Sequence, residues 1–286
     1  MKGPQMVVLA TATVVAAVGA ADQVPTFRAQ IDSVRVDALV TEDRRVVRGL
    51  RVSDFEITDN GVPQQVDLMS VDEMPLNVVM AFDLSDSMTG ERLENLRTAA
   101  RALLDGLRRE DHVALLLFND TLQRPFALTR ELSRVRAALG DLAPKGLTAL
   151  VDGVYAGLTL TGSDTGRDLL LVFSDGVDTV SLLPPARVVE AARRTNVTVY
   201  GVTIRGVRQN DFLKDLSTSS GGRAVEIQSA TDLQTTFVDI LDEFRQRYVL
   251  SFSPRGVSRT GWHRLEVRVK GRRPTITARR GYDAGS

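Results

Sequence analysis

From residue 76 the chain repeats one pattern: a short apolar run, then a longer stretch with apolar residues at helical spacing. The first run, Leu76-Asn77-Val78-Val79-Met80-Ala81-Phe82, is almost continuous. A strand with no polar alternation buries both faces, and strands of that kind belong to parallel sheets covered by helices on either side. Further runs stand at 113–118, 168–173 and 197–202, with a short one at 224–227. Between them the spacing predicts helices over 91–108, 131–139, from about Ala149, and over 185–194 and 233–245. In the first of these Leu93, Leu96, Leu103, Leu104 and Leu107 form one stripe. The expectation is an α/β fold: a doubly wound, mostly parallel, Rossmann-like sheet whose ligand chemistry gathers at the carboxyl ends of the strands.

Both flanks of this region read differently. Residues 31–70 and those from 248 onward alternate between apolar and polar, as half-buried strands do, and Asp59-Asn60-Gly61 is a hairpin signal. Neither flank has enough apolar surface to fold alone, so the two are expected to combine into one small β module. The expected division is a β flank over 28–71, the α/β domain over 76–246 and a second β flank over 247–282. Ahead of them, Lys2 and the apolar run 6–21, ending in small residues, have the layout of an export signal over 1–21 that is too short to span a membrane. The mature chain is therefore expected to be secreted or periplasmic, with no integral membrane span.

Composition removes several classes of function. Lysine plus arginine equals aspartate plus glutamate at 36 each, which argues against a nucleic-acid partner. There is no cysteine, so disulfides and thiolate sites are excluded, and the two histidines, His112 and His263, make a catalytic dyad improbable. His112 reads as a strand-entry residue. The arginines at 264, 268, 272, 273, 279 and 280, with Lys270, read as charge protecting an exposed β edge. Trp262 and Tyr248 read as packing between flank and core.

The residues that carry chemistry sit where the alternating pattern ends its strands. Asp83-Leu84-Ser85-Asp86-Ser87 follows the first run, Gly146-Leu147-Thr148 precedes a helix, and Ser174-Asp175-Gly176 follows the run ending at Phe173. Two carboxylates and three hydroxyls from three loops on one sheet edge suit a hard, six-coordinate cation such as Mg²⁺ or Mn²⁺. The competing reading is local: Asp and Ser are helix caps and turn formers, and Thr148 can be an N-cap. Asp152 reads as a solvated helix-start carboxylate or a partner of a metal-bound water, and Asp178 as a spare loop acid.

With these residues in place the chain resembles the von Willebrand factor A-type domain family. That family's metal-ion-dependent adhesion site uses Asp-x-Ser-x-Ser, a distant Thr and a distant Asp, and Asp83, Ser85, Ser87, Thr148 and Asp175 match all five positions. Gly49 to Ile57, Asp59-Asn60-Gly61, Tyr248 to Phe252 and Ala278 to Tyr282 also resemble the flanks of a bacterial subgroup of exported proteins with related A-type domains. The resemblance implies a non-enzymatic, metal-dependent adhesion or assembly module whose cation accepts an Asp or Glu carboxylate from a protein partner. A hydrolytic use of the same metal lacks a base, since no histidine or glutamate falls in the three segments; a metal that only stabilises loops is the other alternative. The export reading predicts that the mature N-terminus lies between Ala20 and Gln23. Mass spectrometry of protein from its native host would show this, and an intact Met1 would contradict it.

Overall fold

The computed structural model describes residues 33–69, 74–161, 166–175, 177–205 and 211–285. The expected export segment 1–21, the start of the first flank and Gly176 lie outside the described residues. Along the chain run β1 (Val34–Glu42), β2 (Arg45–Val46), β3 (Phe55–Asp59), β4 (Val62–Gln64), β5 (Asp67–Met69) and β6 (Leu76–Asp83). Then follow α1 (Glu91–Asp105), β7 (His112–Phe118), β8 (Leu122–Thr129), α2 (Leu132–Ala138), α3 (Leu150–Leu160) and β9 (Arg167–Ser174). The remainder is α4 (Pro185–Arg193), β10 (Thr198–Ile204), α5 (Asp211–Ser219), β11 (Ala224–Ile227), α6 (Leu233–Arg245), β12 (Tyr248–Phe252), β13 (Trp262–Val269), β14 (Thr275–Thr277) and β15 (Gly281–Asp283).

Among the described residues the central sheet has six strands in the order β11-β10-β9-β6-β7-β8. Every neighbouring pair is parallel except β7 and β8. The expected doubly wound α/β sheet is what forms. Its continuous apolar runs are buried on both faces: Val78, Met80 and Phe82 of β6 pack with α1 and α6, while Val79 and Ala81 pack with α3. Strand β9 divides its residues in the same way, with Leu169, Leu171 and Phe173 on one side and Leu170 and Val172 on the other. Helix α3 reaches the sheet through glycines. A Cβ on Gly153 would meet Phe118 at 2.6 Å and one on Gly157 would meet Leu170 at 2.7 Å. The chain leaves β6 for β7 on one side and returns to β9 on the other, so the gap between the ends of β6 and β9 is the switch point where such sheets open a crevice.

Two elements of the α/β part are absent from the sequence-based expectation. Strand β8 holds Pro125, which lacks a donor and interrupts the alternation; on an edge strand that loss is tolerated. Helix α5 is nine residues long and buries only Leu213, Leu216 and Ser217, a stripe too thin to stand out.

The flanks form two antiparallel sheets, β14-β1-β12-β5 with β2 beside β1, and β15-β13-β3-β4. They share one apolar cluster that includes Val36, Val40, Phe55, Ile57, Leu250, Phe252 and Tyr282. The β3–β4 hairpin turns on Asn60 and Gly61, whose φ angles of 48° and 83° are those an Asn-Gly turn requires. Tyr248 packs within the flanks, and not between flank and core as expected: its ring lies 5.1 Å from Phe55, and its hydroxyl donates to the carbonyl of Val47 and accepts from the amide of Leu50. Trp262 does bridge flank and core, though at the surface: it is 43% exposed, with Arg193 of α4 stacked on it at 4.7 Å. The basic tail differs at one position: Arg279 is buried, donating to the carbonyls of Gly281 and Arg193 and to Asn196.

A buried ion pair joins the flanks to the α/β part. Arg167, the first residue of β9, donates to Asp37 Oδ1 at 2.7 Å and to the carbonyl of Phe244, and its side chain is 1% exposed. Arg247 lies beside it, bonded to the carbonyls of Asp37 and Gly221 and to the Tyr200 hydroxyl. The flanks are thus fastened to the amino edge of the central sheet. Among the described residues no helix is long and apolar enough to cross a membrane. Removing one member of a buried ion pair strands the other without compensation, so Asp37→Ala is expected to lower unfolding free energy by about 3–5 kcal/mol. Urea denaturation would measure it.

Candidate metal centre

The carboxyl ends of β6 and β9 lie side by side, because the two strands pair in parallel up to Phe82 and Phe173. Asp83 closes β6 and is fully buried. Its Oδ1 accepts the amide of Ser85 at 2.9 Å, which turns the chain sharply, and its Oδ2 accepts the Ser174 hydroxyl at 2.6 Å. The turn brings Ser85 and Ser87 together, with hydroxyl oxygens 3.1 Å apart. Ser87 donates to Asp175 Oδ1 at 2.7 Å, so the first and third loops meet through this bond.

Backbone hydrogen bonds fix the second loop between the other two. The amide of Lys145 donates to the carbonyl of Leu84, the amide of Asp86 donates to the carbonyl of Gly146, and the amide of Gly146 donates to Asp86 Oδ1. Gly146 has φ 75°, and a Cβ there would lie 2.7 Å from the Asp120 carboxylate, so only glycine suits the position. On its other side the carbonyl of Thr148 accepts from the amides of Thr179 and Val180. The Thr148 hydroxyl has no hydrogen-bond partner among the described residues, although the residue is only 5% exposed. Its oxygen is not sealed from solvent, so an oxygen-seeking cation entering the crevice would reach it.

The structure thereby gathers all five predicted residues at one sheet edge. Four are buried, and Ser87 opens the cluster to solvent. The donor set is hard oxygen throughout, and among the described residues no three His, Asp or Glu side chains converge on one point. It fits an ion that accepts hydroxyl and water ligands alongside two carboxylates. Capping does not account for these side chains. The N-caps of α1 and α3 are Gly90 and Ala149, neither with a side-chain capping bond.

Two neighbouring acids have other roles than expected. Asp152 is not a solvated helix-start carboxylate; it accepts the amides of Leu182 and Leu183 at 2.9 Å each. Asp178 is not spare either. It accepts the amide of Val151 in the first turn of α3 and the Ser181 hydroxyl, while Ser181 accepts the amide of Asp152. Together they pin the loop after Asp175 to α3. Two contributors escaped the sequence reading: Ser174, and Arg92, which donates to Asp175 Oδ2 at 2.6 Å. The available signal for Arg92 was a cation in the first turn of a helix, where the helix dipole disfavours it.

Burial raises the Asp83 carboxyl above its usual range, opposed by hydrogen bonds from Ser174 and Ser85 and reinforced by the charge of Asp175. A raised folded-state value means that folding favours the protonated form. The cost of the ionised form therefore appears as the pH climbs through the folded-state value. Asp83→Asn removes that cost, and the Ser174 hydroxyl can turn to accept from the new amide. In chelator, the variant is expected to melt above the wild type at pH 7, with the difference closing as the pH falls toward about 4. Thermal melts across that range would test this.

Comparison with known proteins agrees with the geometry. The family model described as von Willebrand factor type A domain matches residues 77–239, more than half of the chain. Inter-alpha-trypsin inhibitor heavy chain H2 of Sus scrofa is 25% identical over 179 residues, which cover 57% of this chain and 19% of that protein. Heavy chain H3 of Homo sapiens is 22% identical over 175 residues, covering 56% and 20%. The chain thus matches about one fifth of the length of these relatives. Among solved structures, a von Willebrand factor type A protein from Catenulispora acidiphila superposes with a TM-score of 0.54 at 14% identity, over 79% of this chain and 72% of that one. Proximal thread matrix protein 1 from the mussel byssus, solved with a zinc-occupied MIDAS motif, gives 0.55 at 14% identity, over 64% and 49%. At such identities the structures speak for the fold alone. The family match, the parallel sheet and the three loops at its switch point agree, and the chain belongs to the von Willebrand factor type A domain family.

Proposed function

We propose that Asp83, Ser85, Ser87, Thr148 and Asp175 hold one divalent cation, Mg²⁺ or Mn²⁺, and that this cation captures an Asp or Glu side chain of a protein partner. The observation that carries the reading is the convergence of three loops on one solvent-facing oxygen cluster that includes the accessible hydroxyl of Thr148. The three hydroxyls donate no charge to the metal, so with the aspartates held partly through water much of its field reaches an incoming carboxylate, whereas two directly bound aspartates would formally neutralise it. Exposed Leu147 and Val177, beside Thr148 and Asp175, offer apolar contact around that point. The site is read as binding and not catalytic. His112 enters β7 at the sheet's amino edge, and His263 is buried in the flank with Nδ1 2.8 Å from Asp59 Oδ1, so neither is placed to act as a base.

The rest of the reading follows from the chain's organisation. Segment 1–21 exports the protein to the periplasm or beyond. The flanks 28–71 and 247–282 act as one β module that presents domain 76–246, in keeping with the bacterial exported subgroup that the sequence resembles. Zinc is known for the mussel relative's motif; here an all-oxygen donor set favours the harder ions.

Asp83→Ala is expected to abolish metal binding, with no saturation at about 1 mM Mg²⁺ or Mn²⁺, while circular dichroism stays unchanged. Ser85→Ala and Thr148→Ala remove neutral ligands that water can replace, so they should weaken binding less. Calorimetric titration of the four proteins, with zinc in parallel, would measure this. A wild type that binds none of these ions, even with an acidic peptide present, would end the proposal.

A further inference from the structure

Arg92 occupies a position that helix physics disfavours. The first turn of α1 carries Glu91 and Glu94, as the positive end of a helix dipole prefers, yet Arg92 stands between them. Its guanidinium donates to Asp175 Oδ2 at 2.6 Å and to the carbonyl of Ser87 at 3.4 Å. The Asp175 side chain is fully shielded, whereas that of Arg92 is 48% exposed. The other oxygen of Asp175 is taken by Ser87. Both Asp175 oxygens are therefore engaged, one by a neutral hydroxyl and one by a full positive charge. Arg92 also lines a cleft of about 340 Å³ with Asn95, Gln228, Ser229 and Thr231, so solvent and solutes reach it.

We propose that Arg92 sets the charge balance of the site, weakening its hold on the cation while strengthening the loaded site's attraction for an anionic partner. This rests on the metal reading above. The carboxylates of Asp83 and Asp175 would by themselves cancel a divalent ion. With the guanidinium on Asp175, the loaded cluster keeps one net positive charge. The same positive charge repels an arriving cation and attracts an arriving carboxylate, so its two effects have opposite signs. A guanidinium that merely steadied Asp175 would instead help both steps or neither. Like charges held this near a metal site are tolerated because Asp175 lies between them and because the exposed face of Arg92 is hydrated.

Arg92→Gln tests the idea, since glutamine keeps an N–H donor for Asp175 while losing the charge. Arg92→Lys keeps the charge without the planar fork. Mn²⁺ alone would be titrated by calorimetry. A short peptide with one glutamate, with its glutamine counterpart as control, would then be titrated against the Mn²⁺-saturated proteins and followed by water-proton relaxation. Arg92→Gln is expected to bind Mn²⁺ about fivefold tighter and the glutamate peptide about fivefold weaker, with Arg92→Lys near the wild type in both. Metal and peptide affinities that both stay unchanged, or that move in the same direction, would overturn the proposal. A wild type that fails to bind Mn²⁺ at all would remove the metal reading beneath it, and that failure is evident before any variant is compared. Thermal melts of each variant establish that the fold is retained.

Discussion

Everything else in this molecule follows from the burial of β6 and β9 on both faces. All eight residues of each strand are buried. A polar side chain in the middle of such a strand would lose its water without gaining a partner, at a cost of about 1–3 kcal/mol. Polar chemistry is therefore pushed to the two ends. At the amino end Asn77 bonds to Asp168 across the strand pair, Asp111 accepts the amide of Leu76, and Arg167 reaches Asp37. At the carboxyl end are Asp83, Ser174 and the loops that follow.

The two ends are finished differently. The amino-end network pairs opposite charges across several elements. Asp111 accepts two backbone amides and Arg245, and Arg167 adds a contact 4.5 Å over the Phe244 ring. Such groups hold one geometry because every alternative leaves a charge unpaired. The carboxyl-end cluster puts two carboxylates near each other, raises Asp83 by burial and leaves the Thr148 hydroxyl unpaired. That is a locally unfavourable arrangement carried by a core that can bear it, which is how binding sites in stable folds are commonly built.

Much of this was legible in the residues because the fold and the site share one signal. Continuous apolar runs announce strands buried on both faces, and the hydroxyls and acids that follow those runs fall at one edge by topology alone. What escaped was whatever depends on a partner distant in sequence. Pro125 hid β8, since its tolerance there depends on the strand lying at the sheet's edge. Arg279 read as one more exposed arginine, because its acceptors belong to Gly281, Arg193 and Asn196. Asp152 read as solvated and Asp178 as spare because the amides they hold lie 27 to 31 residues away. Arg92 left a faint trace, a cation at the wrong end of a helix, which acquires meaning only once Asp175 is beside it.

The position of the buried ion pair has a mechanical consequence. Asp83 and Leu76 are the two ends of one strand, and Arg167 begins its neighbour β9. Strand β6 is hydrogen-bonded along its length to β7 and β9, both running the same way. A pull applied beyond Asp83, and resisted by the flanks behind Asp37 and Arg167, runs along these strands. The ladder bonds then bear the load in shear, many at once, and none is peeled open alone. On the flank side β12 pairs antiparallel with β1 over five residues, from Val34 with Phe252 to Ala38 with Tyr248, and with β5 over three, so the strands entering and leaving the domain, β5 and β12, are clamped to each other. A molecule wired this way is suited to staying folded while something tugs on it.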